Sequence, residues 1–457
     1  MLTGIWLFIA LVVAIAAMIL MISKLKVHPF LAMLTVSIVL ALLALPIDKV
    51  ASTINTGFGA TMTSIGIVII LGSLIGFIVE KTGAAIKIAD AVVRLVGKKN
   101  PELALLIMGW IVSIPVFCDS GFVILNPIRK SLHLRTKKSA VAMSVCLSLG
   151  LYASHVFIPP TPGPIAAAAN VGLADNLLLV IGMGALVSIP ALIGSYFFAM
   201  YIGKKVKSSE DVELEKQDEI SDAYEQLKKS YGKLPNGWLS FAPIVVPVLC
   251  MALGSIASIL NWGKFFSFIG SPIIALFIGV IFGLILLIVT GKVKDFDPFT
   301  NENLKIVGPI IFITAAGGVL GRVISDAGAV QFIQANATAL KALGIFFPFI
   351  IAAILKIAQG SSTVAITTTS AIMGLLTDPN SLMSALGFTT PVAAALVVMA
   401  IGAGAMTVSH ANDSYFWVVT NMSGMTPEQG YKTQTLGTLV SGICSIIGIF
   451  LLSLFLI

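Results

Sequence analysis

Ser409-His410-Ala411-Asn412-Asp413-Ser414 places an imidazole, an amide, a carboxylate and two hydroxyls between the apolar stretch Pro391–Val408 and the apolar tail Tyr415–Thr420. At bilayer depth such groups cost on the order of several kcal/mol unless they face water, a partner or a ligand. One or two of them would serve as a hydrogen-bond cluster between helices, whereas the whole run reads as a binding site. Three more polar breaks interrupt apolar segments: Cys118-Asp119-Ser120-Gly121 just after Pro115, the run from Ser154-His155 to Pro164 with four prolines, and Ala358-Gln359-Gly360-Ser361-Ser362-Thr363. The residues expected to bind a ligand are Asp119, Ser120, Gly121, His155, Thr161, Gly360, Ser361, Ser362, Thr363, His410, Asn412 and Asp413. Among them Asp119, Asp413, His155 and His410 are the natural proton carriers, because desolvation and neighbouring charge move a carboxylate or imidazole across the working pH. A sodium ion would instead want several oxygens, which Ser361, Ser362, Thr363 and Asn412 could help to supply. No His-x-x-x-His or paired-cysteine spacing accompanies these residues, so no metal site is expected. Lys356, one helical turn before the last break, is placed either to attract an anion or to snorkel outward.

The elements that must position these groups are membrane helices. Hydrophobic residues make up 57% of the 457 and charged ones 11%, and the mean hydropathy is +1.02, far outside the usual soluble range. Apolar runs long enough to cross about 30 Å of hydrocarbon recur throughout the chain. Gly4–Ile22 is read as the first span rather than a signal peptide, since it is too long for an h-region and has no charged segment before it. The net charge of +7 sits in Lys24–Lys26, Lys81–Lys99, Arg129–Lys138, Lys204–Lys233 and Lys292–Lys305. That placement marks cytoplasmic loops by the positive-inside rule and gives no reason to expect nucleic acid.

With those loops inside, the apolar runs after the first are read as spans at Pro29–Leu45, Thr61–Val79, Leu177–Tyr201, Trp238–Leu260, Pro272–Thr290, Ile306–Leu320 and Thr435–Ile457. Glu80–Lys99 reads as an amphipathic helix on the inner surface, and Arg322–Leu343 as its outer counterpart. Residues 102–128 have positive charge at both ends and a break in the middle, so they are expected to form a re-entrant hairpin whose tip is Cys118–Gly121. Residues 139–165 form a broken span, because four prolines forbid a regular helix. A hydrophilic stretch, 203–235, is read as a cytoplasmic linker. The second half then repeats the first with reversed orientation: a hairpin at 345–376 and a broken span at 391–420. Gly76-Phe77-Ile78-Val79-Glu80-Lys81-Thr82-Gly83-Ala84 resembles Gly321-Arg322-Val323-Ile324-Ser325-Asp326-Ala327-Gly328-Ala329, and Ser154-His155 takes the place of Ser409-His410. The expected fold is therefore all-α and polytopic, with inverted-topology repeats over 1–202 and 236–457 and a midplane site between them.

No nucleotide-binding lysine loop, hydrolase serine elbow or redox-cofactor motif occurs, so no cofactor is expected. An intramembrane enzyme is the rival class. It would need a nucleophile and base fixed together on rigid helices, whereas these polar groups lie at the breaks of two similar halves, which suits alternating access.

Pro115-Val116-Phe117-Cys118-Asp119-Ser120-Gly121, His155–Pro164, Ala358–Ala365 and Ser409–Trp417 resemble, in that order, motifs of the gluconate permease (GntP) family. The resemblance runs over nearly the whole chain. It implies uptake of gluconate or a related small hydroxy acid, or of D-serine, usually with a proton, across a bacterial inner membrane. It also implies membership of the ion transporter superfamily: a homodimer with a scaffold and a mobile transport domain, working as an elevator. By position, Asp119 matches the family's acidic residue at the first break, and His410, Asn412 and Asp413 match its Ser-His-x-Asn-Asp motif. Cys118 and Thr161 stand where gluconate members carry an aromatic residue and a histidine, so a shorter acid such as glycerate or hydroxybutyrate is an alternative substrate. Sodium coupling within the same fold is the alternative to proton symport.

Overall fold

The computed structural model describes residues 1–2, 4–96, 100–212, 229–260, 262–327, 343–410 and 413–457. Its first half runs through α1 (Gly4–Ser23), α2 (Pro29–Ala44), α3 (Ile47–Lys81), α4 (Ala84–Val96), the pair α5 (Pro101–Val112) and α6 (Cys118–Thr136), the pair α7 (Ala140–Phe157) and α8 (Pro162–Asn170), and α9 (Leu177–Lys205). Its second half runs through α10 (Gly237–Leu260), α11 (Pro272–Thr290), α12 (Phe296–Asp326), the pair α13 (Phe346–Gln359) and α14 (Ser362–Met373), the pair α15 (Pro391–Met406) and α16 (Ser414–Met422), and α17 (Leu436–Leu456). Short single turns lie between some of these. Seven helical stretches among the described residues are long and apolar enough to cross a membrane. Large side chains such as Trp6, Phe197, Trp238 and Phe455 point outward, the surface a bilayer solvates. The protein is a multi-pass membrane protein.

The same packing recurs in both halves. α2 packs on α12 as α11 packs on α3; α5 lies along α7 as α13 lies along α15; α7 meets α9 as α15 meets α17. The first arms of the two broken spans form the centre: every residue of α7 is buried, and so is α15 from Ala393 to Met406. Small residues allow this crowding. A Cβ at Gly150 would fall 2.1 Å from Leu106 O, and one at Gly404 would fall 2.2 Å from Phe349 O.

Local chemistry explains where the breaks fall. Pro162 and Pro391 occupy first-turn positions, where a missing N–H is harmless, and Ser139, Ser361 and Thr390 cap their helices by accepting from Ala142 N, Val364 N and Ala393 N. Gly360 ends α13 in the left-handed region at φ 90°, which only glycine adopts freely.

The hairpin tip expected at Cys118–Gly121 lies one turn earlier, at Ser113–Phe117, and Cys118–Gly121 form the first turn of α6. A carboxylate at the second helical position favours that start by complementing the N-terminal dipole. Two spans are longer than hydropathy suggests. α3 begins at Ile47 rather than Thr61, and α12 extends over Phe296–Asp326 rather than Ile306–Leu320. Their polar ends are held helix to helix, with Thr53 Oγ1 donating to Asp326 Oδ2 at 3.0 Å. Arg322 therefore belongs to α12, where it pairs with Asp326 at 3.1 Å, and most of the outer amphipathic stretch, 328–342, lies outside the described residues.

The start of the expected linker is not free chain. Residues 206–212 strap across the ends of α6, α7 and α16: Ser209 N donates to Gly424 O at 3.0 Å, Gln429 Nε2 to Lys207 O at 2.8 Å, and Ala140 N to Asp211 Oδ1 at 2.7 Å. Glu210 meets the wholly buried Arg129 at 2.7 Å and Lys130 at 3.1 Å. Burial alone would raise the Glu210 carboxyl, but the two cations outweigh it and hold it below the usual carboxylate range.

Candidate functional site

Asp413 caps α16, its Oδ1 accepting from Tyr415 N at 3.0 Å. Its Oδ2 accepts from Ser409 Oγ at 2.5 Å and from Lys356 Nζ at 2.6 Å. Lys356 reaches this carboxylate from α13 and also donates to Gly360 O at the end of its own helix, where free carbonyls and the dipole favour a cation. The lysine is 0% exposed. Snorkelling, one of its two expected behaviours, does not occur; the ammonium is paired inside the protein. It also sits 5.7 Å from the centre of the Tyr152 ring, within cation–π range.

Around this pair α7 presents Tyr152 and His155, with rings stacked at 6.4 Å. Tyr415 packs on Tyr152 at 5.2 Å and donates its hydroxyl to Ser148 O at 2.9 Å. The Tyr152 hydroxyl lies near Ser362 but forms no well-aligned bond, and His155 Nδ1 is buried without a partner. Buried polar atoms left this way are uncommon and call for an explanation.

Asp119 stands in the first turn of α6, facing the same centre. Its Oδ1 accepts from Ser414 Oγ at 3.2 Å, and the Cys118 thiol donates to its Oδ2 at 3.7 Å. Two carboxylates, one ammonium and the N-termini of α6 and α16 thus come together at the breaks. Such N-termini offer free N–H groups to an anion.

Other expected residues play smaller parts. Thr161 spends its hydroxyl closing the first broken span, donating to Ile158 O at 2.7 Å and His155 O at 3.0 Å. Ser120 turns toward Glu80 on α3, and Gly121 leaves room for Leu151, whose Cδ2 a Cβ would meet at 2.6 Å. Gly360 and Ser361 shape the second hairpin tip, Ser362 is buried beneath it and Thr363 is half-buried. His410 lies on the rim, Nε2 to Ile357 O at 3.0 Å. Asn412 lies outside the described residues. Sequence reasoning missed Tyr152, whose only signal was its position one turn before His155, and Arg129, which looked like an ordinary loop cation. A separate cavity of about 160 Å³ opens between α3, α8, α12 and α14, lined by Thr56, Asn170, Arg322 and Asp378. Its charged groups already have partners: Arg322 pairs with Asp326, and Asp378 Oδ2 accepts from Ser325 Oγ at 2.5 Å.

Comparison with known proteins decides what kind of molecule carries this centre. Residues 6–455 match the family described as GntP family permease. The chain belongs to that family. Among its relatives, the inner membrane permease YgbN of Escherichia coli is 32% identical over 437 residues, covering 93% of each chain. A gluconate permease of Zymomonas mobilis is 29% identical over 459 residues, covering 97% of each. An uncharacterized permease of Haemophilus influenzae is 32% identical, over 91% of this chain and 86% of its own. The crystal structure of the Alcanivorax borkumensis YdaH transporter superposes with a TM-score of 0.61 at 15% identity, covering 93% of this chain and 97% of that one. This GntP-family protein is a permease rather than an enzyme.

Proposed function

We propose that this GntP-family permease imports a small hydroxy-carboxylate, gluconate or a related sugar acid, glycerate or hydroxybutyrate, across the bacterial inner membrane by proton symport. The observation that carries this reading is the meeting of Lys356, Asp413 and Asp119 at the breaks of discontinuous helices. An anionic solute needs the ammonium and the helix N-termini, and a coupled proton needs a carboxylate close to the anion. Gluconate permeases among its relatives point to the same substrate class. Substrate contacts come from Asp119, His155, Gly360, Ser361, Ser362, Thr363, His410, Asn412 and Asp413, with Asp119, Asp413, His155 and His410 as the proton-handling groups, whereas Ser120, Gly121 and Thr161 shape the first hairpin and the first broken span.

The recurring helix succession supports inverted repeats over 1–202 and 236–457, joined by 203–235, with the α5/α6 pair entering from the cytoplasm and the α13/α14 pair from outside. In this arrangement α2, α3, α11 and α12 belong to the scaffold of a homodimer, and the hairpins with the broken spans move as an elevator. Reconstituted protein should accumulate at least one of labelled gluconate, glycerate, 3-hydroxybutyrate and D-serine when an inward proton gradient is imposed. Failure with all of them would remove the reading.

A further inference from the structure

A buried polar centre that already contains two carboxylates repels an anionic substrate unless something compensates. We infer that Lys356 is the anion-binding residue of the site and that it exchanges Asp413 for the substrate's carboxylate, while Asp413 takes up the coupled proton. This rests on the proposed symport of a hydroxy acid.

The geometry supports each half of the exchange. Asp413 Oδ2 holds both Lys356 Nζ, at 2.6 Å, and Ser409 Oγ, at 2.5 Å. When Asp413 is protonated on Oδ2, its new O–H donates to Ser409 Oγ, because a hydroxyl that was a donor also accepts. Oδ1 keeps Tyr415 N at 3.0 Å. The neutral acid therefore stays satisfied without the lysine. Lys356, still anchored on Gly360 O and against the Tyr152 ring, then offers its freed N–H to the incoming carboxylate. The unpartnered Tyr152 hydroxyl and His155 Nδ1 beside it supply hydrogen bonds for the hydroxyls of the acid.

Charge balance favours the exchange. Lys356, Asp413 and Asp119 sum to one negative charge; adding one anion and one proton leaves that sum unchanged. Among the described residues, the other groups that face Asp413 are Asp119, His155, Cys118, Tyr152 and Tyr415, of which Asp119 alone is a carboxylate. Because Lys356 belongs to α13 and Asp413 caps α16, opening the pair removes one tie between the second hairpin and the second broken span, while the His410–Ile357 O contact and the packing of α13 along α15 keep the two together.

Gluconate binding to purified protein, measured by calorimetry between roughly pH 5 and 8 where single-proton linkage is visible, separates this from a merely structural pair. Wild type should bind one proton per gluconate, its affinity falling about tenfold per pH unit at the alkaline end. Asp413→Asn should still bind gluconate, with no pH dependence and no proton uptake. The double variant Lys356→Met/Asp413→Asn, which leaves no unpaired charge, should fold but lose about a hundredfold or more in affinity, as when one partner of a buried charge pair is removed. A double variant that binds within about threefold of wild type, less than 1 kcal/mol, would overturn the inference, as would Asp413→Asn with the wild-type proton uptake. Wild type that binds none of gluconate, glycerate, 3-hydroxybutyrate or D-serine would instead remove the symport reading, and the inference with it.

Discussion

Ser414 Oγ donates to Asp119 Oδ1 across 3.2 Å, tying the first turn of the helix that follows the first break to the first turn of the helix that follows the last one. The two residues are 295 positions apart in sequence. Asp119 thus sets the negative field in which Asp413 and Lys356 work.

Replacing Asp119 by Asn removes that field while keeping the shape and the Ser414 contact. Proton-driven accumulation should be lost, whereas exchange of labelled for unlabelled acid across proteoliposomes should persist. Ser414→Ala, which removes one hydrogen bond, should reduce uptake only severalfold, in line with about 1 kcal/mol. Unchanged proton-driven uptake in Asp119→Asn would show that this carboxylate has no part in coupling.

The approach of the first hairpin tip to α3 depends on Gly76. A Cβ there would lie 1.7 Å from Pro115 O, a backbone atom that cannot swing aside, whereas one at Gly59 on the same helix would meet nothing within 4 Å. Gly76→Ala should lower uptake at least about tenfold and destabilise the protein by about 2 kcal/mol, within the usual cost of overpacking. Gly59→Ala should leave both unchanged or stabilise the helix by about 0.5 kcal/mol. Equal behaviour of the two variants would mean that the tip does not bear on α3.

The strap at residues 206–212 should make stability depend on acid. The Glu210 carboxyl is held below its ordinary value by Arg129 and Lys130 against the effect of burial. A depressed carboxylate stabilises the fold above its unfolded value, and this is lost as pH falls through the folded value. Glu210→Gln strands the buried Arg129 and should cost about 3 kcal/mol near pH 7. Melting in detergent from neutral to well below about pH 4, past the ordinary carboxylate range, should bring wild type toward the variant at the acid end. Parallel curves would exclude the pairing.

Much of this site was legible in the sequence. The four breaks were visible because Pro115, the proline run, Gly360-Ser361 and Ser409–Ser414 interrupt apolar segments, and a lipid-facing helix cannot tolerate that. The lengths of α3 and α12 were not legible. Asp48, Asn55, Asn301 and Arg322 lower local hydropathy, yet helix continues there because Thr53–Asp326 and packing between the two helices satisfy it. The Lys356–Asp413 pair was equally hidden, since 57 residues separate its partners and only the folding of α13 against α15 brings them together. Arg129 read as a loop cation until the strap supplied Glu210.

The first hairpin gives a prediction about sides. Single cysteines at Asn100 and Lys137, in a background lacking the native cysteines, should both react with an impermeant maleimide from the cytoplasmic face only. Reaction from opposite faces would make α5 and α6 one crossing and remove the inverted repeat.

The account stands most directly on how transport is powered. Labelled gluconate or glycerate should be concentrated into sodium-free proteoliposomes by an inward proton gradient, and the accumulation should collapse when a protonophore is added. An inward sodium gradient at equal pH should drive none. Accumulation that requires sodium, and is indifferent to the proton gradient, would contradict coupling through Asp413 and Asp119.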